Sequence, residues 1–416
     1  MDRVILHSDL NSFYASVECL HRPELKNLPV AVGGSEASRH GIILAKNEIA
    51  KKFGIKTAEP MWQAKQKCKD LVIIPPDFSK YTRFSQLVRE IYLQYTDRFE
   101  PFGIDEGWLD VTGSVGLFGS GKEIAEKINR QVKKELGLTV SVGVSWNKIY
   151  AKLGSDYKKP DAITVFDRNN YRDLVFPQPV GNLLFVGRST QSKLQLYGID
   201  TIGDLAACDV GQLEKILGKW GGILHRFAIG EDDSPVALFN ETSQIKSIGN
   251  STTTPRDLVN DEDVKVIFTV LAESVAMRLR EHGLYGKTVR IHVRDTDLHS
   301  FSRQHQLTNP TCLASEIIDT AMELFQKNYH WRQNIRSLGV SVADLVDSQN
   351  VYTQCDIFTS EVEREKKENL AQSMDEIRRR FGNFAIQRGS LLQDKELSDF
   401  NPKDDHKLDI KSYNLK

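Results

Sequence analysis

Hydrophobic and polar positions along the first part of the chain follow two periods, one typical of strands and one of helices. An apolar run over residues 4–9 predicts a strand, and Asn11 and Ser12 are suited to cap the amphipathic helix that follows. Two segments that flank residues 103–107 predict a hairpin. Apolar residues recur at helical spacing in residues 84–95 and 124–136, and they alternate as in a strand in residues 139–145. This alternation of helices and strands predicts an α+β core.

The periodicity also divides the chain into parts. Residues 167–235 form short helical patterns interrupted by glycines. Residues 241–345 have the order strand, helix, strand, strand, helix, strand, which is a split β-α-β-β-α-β unit. Residues 346–416 are charged and polar, with one predicted helix and a final segment that we expect to be disordered. The remaining residues divide into the core, residues 1–10 and 77–166, and a small subdomain, residues 11–76.

Composition narrows the class of protein. The 416 residues are 40% hydrophobic and 27% charged, and no apolar run approaches the roughly 18 residues of a membrane span. The start of the chain lacks the basic and apolar segments of a secretion signal, so we expect an intracellular protein. The five cysteines lie far apart, which argues against structural zinc and disulfides. Because the net charge is only -1, any nucleic-acid surface must be local.

Three carboxylates are candidates for a metal site. Asp9 ends the first predicted strand, and Asp105 and Glu106 lie at the tip of the predicted hairpin. Adjacent anions raise each other's pKa unless a cation is present, so their convergence favours a hard divalent ion such as Mg²⁺. Two such ions suit nucleotidyl transfer. The alternative is that each acid faces solvent, as acids at strand ends and turns usually do.

Four motifs resemble those of one enzyme family. The segment from His7 to Glu18, HSDLNSFYASVE, resembles the opening motif of Y-family DNA polymerases, and GIDEGWLDVT at residues 103–112 resembles their carboxylate motif. VGVSWNKIYAK at residues 142–152 and DYKKP at residues 156–160 also resemble family motifs, in the same order. The resemblance covers residues 1–345 and is closest to the bacterial DNA polymerase IV branch.

The resemblance implies a multidomain α+β fold, the right-hand polymerase. Its parts would be a palm (1–10 and 77–166), small fingers (11–76), a helix-hairpin-helix thumb (167–235) and a little finger (241–345). The implied function is template-directed DNA synthesis of low fidelity, which is translesion synthesis in DNA repair and damage tolerance, without a proofreading exonuclease. Such a protein is a monomer in the bacterial cytoplasm, associated with the nucleoid.

The same resemblance assigns roles at the active site. Asp9, Asp105 and Glu106 match the catalytic carboxylates, which together with the Leu10 carbonyl hold two Mg²⁺ ions, with Mn²⁺ as a possible substitute. Transfer would join a dNTP to a primer 3′-hydroxyl on primer-template DNA.

Nucleotide contacts follow from the same motifs. The resemblance implies that Phe13 and Tyr14 both contact the nucleotide. Tyr14 matches the steric gate, an aromatic ring that leaves no room for a ribose 2′-hydroxyl. The alternative is an ordinary core aromatic. Lys159 matches a lysine that reaches the triphosphate as a point charge, and an exposed lysine at a helix end is its alternative.

Two positions in the fingers depart from the family pattern. The usual Tyr and Arg that contact the triphosphate are Glu48 and Lys51 here. We expect Lys51 to contact phosphate without bidentate geometry, and Glu48 to turn away or to pair with Lys46. In the carboxylate motif, Gly103 replaces a serine.

The DNA-holding parts carry a second set of expectations. In the thumb, the usual Pro-Gly-x-Gly turn reads Leu184-Phe185-Val186-Gly187, so only Gly187 remains to present backbone amides to phosphate. In the little finger, Arg290, His292 and Arg294 alternate with apolar residues and form a basic strand face, for which a merely solvated face is the alternative. Three further residues, Lys246, Ser251 and Arg303, are expected to join that surface.

A short peptide after the little finger suggests a protein partner. Gln354, Ile357 and Phe358 resemble the Gln-x-x-Leu-Phe peptides with which bacterial polymerases bind the sliding clamp, the β subunit. Two apolar anchors on an extended peptide suit recognition by a pocket.

Two other functions remain open at the level of sequence. One is a DNA-binding or clamp-binding accessory that has lost catalysis through its altered fingers. The other is a nucleotidyl cyclase on a similar palm, which would not need a thumb or a little finger.

Overall fold

The structure, a computed structural model, describes residues 2–34, 41–241, 244–351 and 361–402. These residues form two compact units, residues 2–241 and residues 244–402. Within the described segments, no helix combines the length and hydrophobicity needed to cross a membrane.

The first unit contains both sheets and helices. Its strands are β1 (Ile5–Leu10), β2 (Val30–Gly33), β3 (Ile43–Lys46), β4 (Val72–Ile74), β5 (Phe99–Pro101), β6 (Glu106–Asp110), β7 (Val140–Ser145) and β8 (Ile163–Val165). Its α-helices are α1 (Phe13–His21), α2 (Glu48–Lys52), α3 (Met61–Lys67), α4 (Phe78–Leu93), α5 (Val115–Phe118), α6 (Gly121–Leu136), α7 (Lys148–Tyr157), α8 (Tyr171–Val175), α9 (Arg188–Gln195), α10 (Ile202–Ala207), α11 (Val210–Leu217) and α12 (Lys219–Ala228). The strands, helices and hairpin predicted for the core are therefore confirmed.

β1 lies at the centre of a five-stranded sheet whose order is β5-β6-β1-β7-β8. All six of its residues are buried, because helices cover both faces of the sheet. Leu6 packs into the core formed with α1, α4 and α6, whereas Ile5 packs with Ala151 of α7 on the opposite face. Side chains alternate along a strand, so His7 and Asp9 lie on the α7 face with Ile5.

A glycine allows α7 to lie close to the sheet. A Cβ at Gly143 of β7 would overlap the Ala151 carbonyl oxygen and the Ser155 nitrogen. No other residue leaves room for this approach. The close contact brings the polar side chains of α7 to the end of β1.

The segment predicted as fingers has its own three-stranded sheet, with order β3-β2-β4. Asn47 caps α2, since its side chain accepts a hydrogen bond from the Ala50 amide at 2.9 Å. The same side chain accepts from the Val30 amide of β2 at 3.1 Å. One residue thus fixes α2 to the sheet and sets the positions of the side chains on that helix.

The thumb turn keeps a left-handed residue although its glycine is absent. Phe185 has a φ of 71°, at the position where the family pattern has the first glycine. Gly187 is the N-cap residue of α9. The Phe185 ring lies 5.8 Å from Trp220 and 6.2 Å from Phe227, between centroids. These ring contacts offset the backbone strain that a Cβ meets in this region.

The second unit has the predicted split order. Its elements are β9 (Ser247–Leu258), α13 (Asp261–Glu281), β10 (Leu284–Asp295), β11 (Ser300–Thr311), α14 (Ala314–Asn328), β12 (Ile335–Asp347), α15 (Glu361–Phe381) and α16 (Lys395–Ser398). The sheet is antiparallel with order β11-β10-β12-β9, and α13 and α14 pack against one face. The β-α-β-β-α-β prediction is confirmed.

The C-terminal region packs against α13, which the sequence did not indicate. Arg280 of α13 binds the Asp375 carboxylate of α15 through two hydrogen bonds, of 2.6 and 2.9 Å. Leu397 of α16 is fully buried in the core of the unit. The predicted helix near residues 360–381 is confirmed, and residues 361–402 are part of the packed unit. The final segment predicted to be disordered lies largely outside the described residues.

The left-handed turn at Phe185 gives a prediction. Phe185→Ala should be less stable than Phe185→Gly by about 1 kcal/mol, because only the alanine keeps a Cβ at positive φ. Leu196, which has a φ of -61° and is exposed, is the matched control, and there the alanine variant should be the more stable. Chemical denaturation of the four variants measures the difference. Equal stability of the two Phe185 variants would contradict strain at this turn.

Candidate active site

The three predicted carboxylates meet at one end of the five-stranded sheet. Asp9 of β1 lies opposite Glu106 of β6 in the antiparallel register, and opposite Ser141 of β7 on its other side. The Leu10 amide donates a hydrogen bond to the Asp105 carbonyl at 3.0 Å. The turn before β6 and the end of β1 are therefore joined where the acids lie.

Two lysines lie among the carboxylates. Lys152 Nζ is 2.6 Å from Glu106 Oε2 and 3.3 Å from Asp9 Oδ2. Lys159 Nζ is 2.7 Å from the same Asp9 oxygen. Asp156 contacts both ammonium groups, at 3.1 Å and 2.7 Å. Of the three predicted carboxylates, Asp9 and Glu106 are therefore paired with lysine ammonium groups.

The pKa values of the three acids shift in different directions because burial and the lysines oppose each other. Burial, together with the charge of Asp9, raises the pKa of Asp105 to about 6. Burial also raises the pKa of Glu106 to about 7, against the opposing effect of Lys152. For Asp9 burial acts in the same direction, but Lys152 and Lys159 outweigh it and hold the pKa below its usual value. The raised pKa values show that the lysines do not fully stabilise the ionised forms of Asp105 and Glu106, so a bound cation would stabilise both carboxylates further.

His7 is a buried neighbour of the site. Its Nδ1 lies 2.8 Å from Ser155 Oγ, and the Ser155 hydroxyl itself donates to the Lys152 carbonyl at 2.8 Å. Nδ1 must therefore be the donor, which leaves Nε2 without a proton, 3.6 Å from Glu106 Oε2. Burial and the nearby Lys152 hold the pKa of His7 well below its usual value. The imidazole is neutral and does not compete with the ammonium groups.

Sequence reasoning named Lys159 but gave no role to Lys152, Asp156 or His7. Lys152 and Asp156 are separated by one helical turn, and His7 is two residues before Asp9 on the same strand face. These spacings were a signal that the three side chains share the site.

The donor set fits hard divalent cations. Asp9, Asp105 and Glu106 offer only carboxylate oxygens, which Mg²⁺ and Mn²⁺ prefer. In the described part of the chain, no three acidic, histidine or cysteine side chains form a ready-made ligand cluster. Lys152 and Lys159 lie against the Asp9 and Glu106 oxygens that a metal ion would bind.

Tyr14 lies beside the carboxylates on α1. Its ring stacks on Tyr81 at 4.3 Å between centroids, with 12° between the planes. Burial, together with the charge of Asp105, raises the pKa of Tyr14 to about 12. Phe13, by contrast, is only 3% exposed and belongs to the core under the sheet. The core thus covers the Phe13 side chain, and its contact with nucleotide stays a prediction.

Glu48 does not pair with Lys46, as one expectation had it. Glu48 accepts a hydrogen bond from the Ser12 hydroxyl at 3.2 Å and lies 3.6 Å from Lys51 Nζ. Lys46 donates to the Thr57 hydroxyl at 2.9 Å. Glu48 therefore contacts Lys51, the lysine that was expected at the triphosphate.

The predicted capping role of Ser12 is wrong. Ser12 has a φ of 50° and makes no side-chain cap on α1.

The basic strand face of the second unit is confirmed in part. Arg290 and Arg294 are exposed, while Val289, Ile291 and Val293, which alternate with them in β10, are buried. Ser251 of β9 and Arg294 lie on that face, since the register places both opposite the same side of β12. Lys246 is exposed and precedes β9.

Arg303 lies on the other face of the sheet, which corrects its predicted position. It pairs with Ile291, which is fully buried, and directly paired residues of an antiparallel ladder share a face. Its Nε donates to Asn328 Oδ1 at 3.1 Å, at the end of α14. Gln354, Ile357 and Phe358 lie outside the described residues.

Family models match three parts of the chain. Residues 8–156 match the impB/mucB/samB family, and residues 245–356 match the C-terminal domain of that family. Residues 182–232 match the DNA polymerase-iota thumb domain. A solved Y-family DNA polymerase chimera of Dbh and Dpo4 has a TM-score of 0.73 at 24% identity, covering 83% of this chain and 99% of that one. This likeness confirms the predicted multidomain α+β fold class.

Curated relatives match almost the whole chain. DNA polymerase IV from Acetivibrio thermocellus is 52% identical over 398 residues, which cover 96% of this chain and 100% of the relative. DNA polymerase IV 1 from Bacillus subtilis is 38% identical over 395 residues, which cover 95% of this chain and 94% of the relative. With this identity and coverage, the chain belongs to the Y-family DNA polymerases and is similar to DNA polymerase IV.

Proposed function

We propose that the protein is a low-fidelity, template-directed DNA polymerase that performs translesion synthesis, joining dNTPs to a primer 3′-hydroxyl. The observation that carries the proposal is the meeting of Asp9, Asp105 and Glu106 at one sheet end, with Lys152 and Lys159 in contact with them. The names of the relatives, DNA polymerase IV, support it.

The chain's own groups would hold the metal ions and contact the triphosphate. Asp9, Asp105 and Glu106, with the Leu10 carbonyl, are the residues that would hold two Mg²⁺ ions, or Mn²⁺ in their place. Bound ions would neutralise the phosphoryl oxygens and lower the pKa of the primer hydroxyl. Lys159, on the Asp9 side of the site, is placed to turn its ammonium group toward a triphosphate. The ammonium groups of Lys152 and Lys159 hold the Asp9 and Glu106 carboxylates in place before metal binds.

Selection of the sugar falls to Tyr14. The stacked Tyr81 ring leaves little freedom for the Tyr14 ring to move away from an incoming ribose. A ring that cannot move aside excludes the 2′-hydroxyl of a ribonucleotide, so the substrate class is deoxynucleoside triphosphates.

DNA contacts are proposed on two features. The amides at Gly187 start α9 and suit a backbone phosphate, and Arg290 and Arg294 form a cationic strand face. The fingers, palm, thumb and little finger carry the boundaries given by the sequence. We assign no proofreading exonuclease, because each of these parts already has another role.

The further proposals concern the cell. The protein acts as a monomer on DNA in the bacterial cytoplasm, at the nucleoid. Gln354, Ile357 and Phe358 would bind the β sliding clamp, and this rests on the sequence alone. A silent accessory would not need three converging carboxylates, and a cyclase would not need thumb and little-finger parts.

The carboxylates give the first test. Asp105→Asn keeps the side-chain shape but not the charge, so primer extension with Mg²⁺ or Mn²⁺ should fall by about 100-fold or more. The exposed Asp97→Asn should extend primers normally. Primer-extension assays with both variants measure this. Wild-type-like extension by Asp105→Asn would overturn the polymerase assignment, and binding of primer-template without any wild-type extension would favour the accessory.

Sugar selection gives the second test. Tyr14→Ala should raise the ratio of ribonucleotide to deoxynucleotide incorporation by about 10-fold or more, because the ring no longer occupies the space of the 2′-hydroxyl. Tyr14→Phe keeps the ring and should keep the selectivity. Single-nucleotide incorporation kinetics give the ratio. An unchanged ratio in Tyr14→Ala would show that another residue excludes the ribose.

The Glu48 contact gives the third test. Glu48→Gln should lower the KM for dNTP by about 2- to 5-fold with little change in kcat, since Lys51 is released from an exposed ion pair worth less than about 1 kcal/mol. The exposed Asp70→Asn, in the same subdomain, controls for a general loss of negative charge. A higher KM in Glu48→Gln would mean that Glu48 assists nucleotide binding instead of opposing it.

A further inference from the structure

The turn that presents Asp105 and Glu106 is held through its backbone. Three successive carbonyls each accept a hydrogen bond from another element. Arg89 Nη2 donates to the Gly103 carbonyl at 3.1 Å, the Ser85 hydroxyl donates to the Ile104 carbonyl, and the Leu10 amide donates to the Asp105 carbonyl at 3.0 Å. The turn is also closed by the Phe102 amide, which donates to the Glu106 carbonyl at 3.0 Å.

Two of these donors come from one face of α4. Ser85 and Arg89 are one helical turn apart, and Tyr92 follows on the same face. Tyr92 donates its hydroxyl to Ser8 Oγ at 2.8 Å, next to Asp9. A helix that covers a sheet normally offers only apolar side chains to it. Here a polar stripe lies beside the buried Val88 and Ile91, and each of its three groups reaches the backbone or side chain beside a carboxylate.

The sequence explains why outside support is needed. Gly103 stands where the family motif has a serine, so the turn has no side-chain hydroxyl of its own at this position. A Cβ at Gly103 would lie 3.3 Å from Asp105 Oδ1 and 3.6 Å from Glu106 Cγ, so residue 103 borders both acids. Glycine is also the residue that leaves a backbone most mobile. Without the α4 donors, little else would hold the Gly103 and Ile104 carbonyls.

We propose that Arg89 and Ser85 are positioning residues that hold the Asp105-Glu106 turn ready to bind divalent metal, an inference that rests on the proposed two-metal polymerase function. Both side chains donate to backbone carbonyls of the turn, so they would act through the carboxylates that the turn carries. Ser85 is only 3% exposed and Arg89 is half-buried, so both hydrogen bonds are largely protected from water. Groups that orient metal ligands typically change metal affinity by about 10- to 100-fold when they are removed.

The test compares three arginine variants in the full chain. Arg89→Met keeps the aliphatic stem without the donor, Arg89→Lys keeps one donor, and Arg83→Met removes an exposed arginine from the same helix. Each protein is bound to primer-template with a dideoxy-terminated primer and dNTP, and Mn²⁺ binding is followed by the EPR signal of free Mn²⁺. Asp105→Ala is measured alongside, and Ser85→Ala replaces Arg89→Met if the latter does not fold.

We expect Arg89→Met to weaken Mn²⁺ binding by about 10-fold, Arg89→Lys to recover part of it, and Arg83→Met to match wild type. The half-saturating Mg²⁺ for primer extension should rise by a similar factor, with the rate recovered at saturating Mg²⁺. Unchanged Mn²⁺ binding in Arg89→Met, or equal losses in Arg89→Lys and Arg89→Met, would overturn the positioning role alone. If Asp105→Ala bound Mn²⁺ like wild type, the proposed metal site would fail as well.

Discussion

The register that places Asp9 opposite Glu106 is the constraint on which the site depends. Two acids that face each other across β1 and β6, inside a covered sheet, repel each other and lose hydration. Lys152 and Lys159 offset that cost by lying against the same oxygens. A slip of one residue would turn His7 and Asp9 away from α7 and into the apolar core on the other face, so the burial of both faces protects the register.

Helix α7 supplies most of the groups that make this register tolerable. Lys148, in its first turn, is 2% exposed and binds both Glu100 carboxylate oxygens at 2.8 Å. One of those oxygens also accepts from the Ala237 amide at 3.0 Å, which fixes the chain that follows α12 onto the five-stranded sheet. Lys152 and Ser155 then serve the carboxylates and His7. The absence of a side chain at Gly143 makes this whole arrangement possible, because it determines how close α7 can lie.

The sequence was sufficient to predict the main helices and strands of both units, because these depend on the local period of apolar residues. It was also sufficient to predict that Asp9, Asp105 and Glu106 come together, because this follows from the order of the motifs. It was not sufficient where a partner comes from a distant segment. Glu48 pairs with Ser12 and Lys51, which follows from how α2 is fixed by Asn47. Arg303 faces away from Arg290 because the register of β10 with β11 decides its side, and alternation within β11 alone gives no reference face.

The same limit applies to longer-range packing. The charged composition of the C-terminal region predicted a helix but not what it packs against. Arg280 of α13 pairs with the buried Asp375 of α15, and Arg378 of α15 pairs with the buried Glu273 of α13. Charged residues are compatible with packing when each finds a counter-ion, and composition alone does not reveal the pairing. Phe185 is a second example of packing that the local sequence does not reveal. Its contact with the distant Trp220 ring helps to stabilise a left-handed backbone conformation that glycine would adopt without strain.

The most direct test of the central claim is a crystal structure of the protein with primer-template DNA, an incoming dNTP and Mg²⁺, using a primer that cannot be extended. The account predicts ions bound at about 2.0–2.1 Å from the Asp9, Asp105 and Glu106 oxygens, with the Lys152 and Lys159 ammonium groups displaced from them. Ammonium groups that remain against Asp9 and Glu106, with Mg²⁺ bound elsewhere, would contradict it.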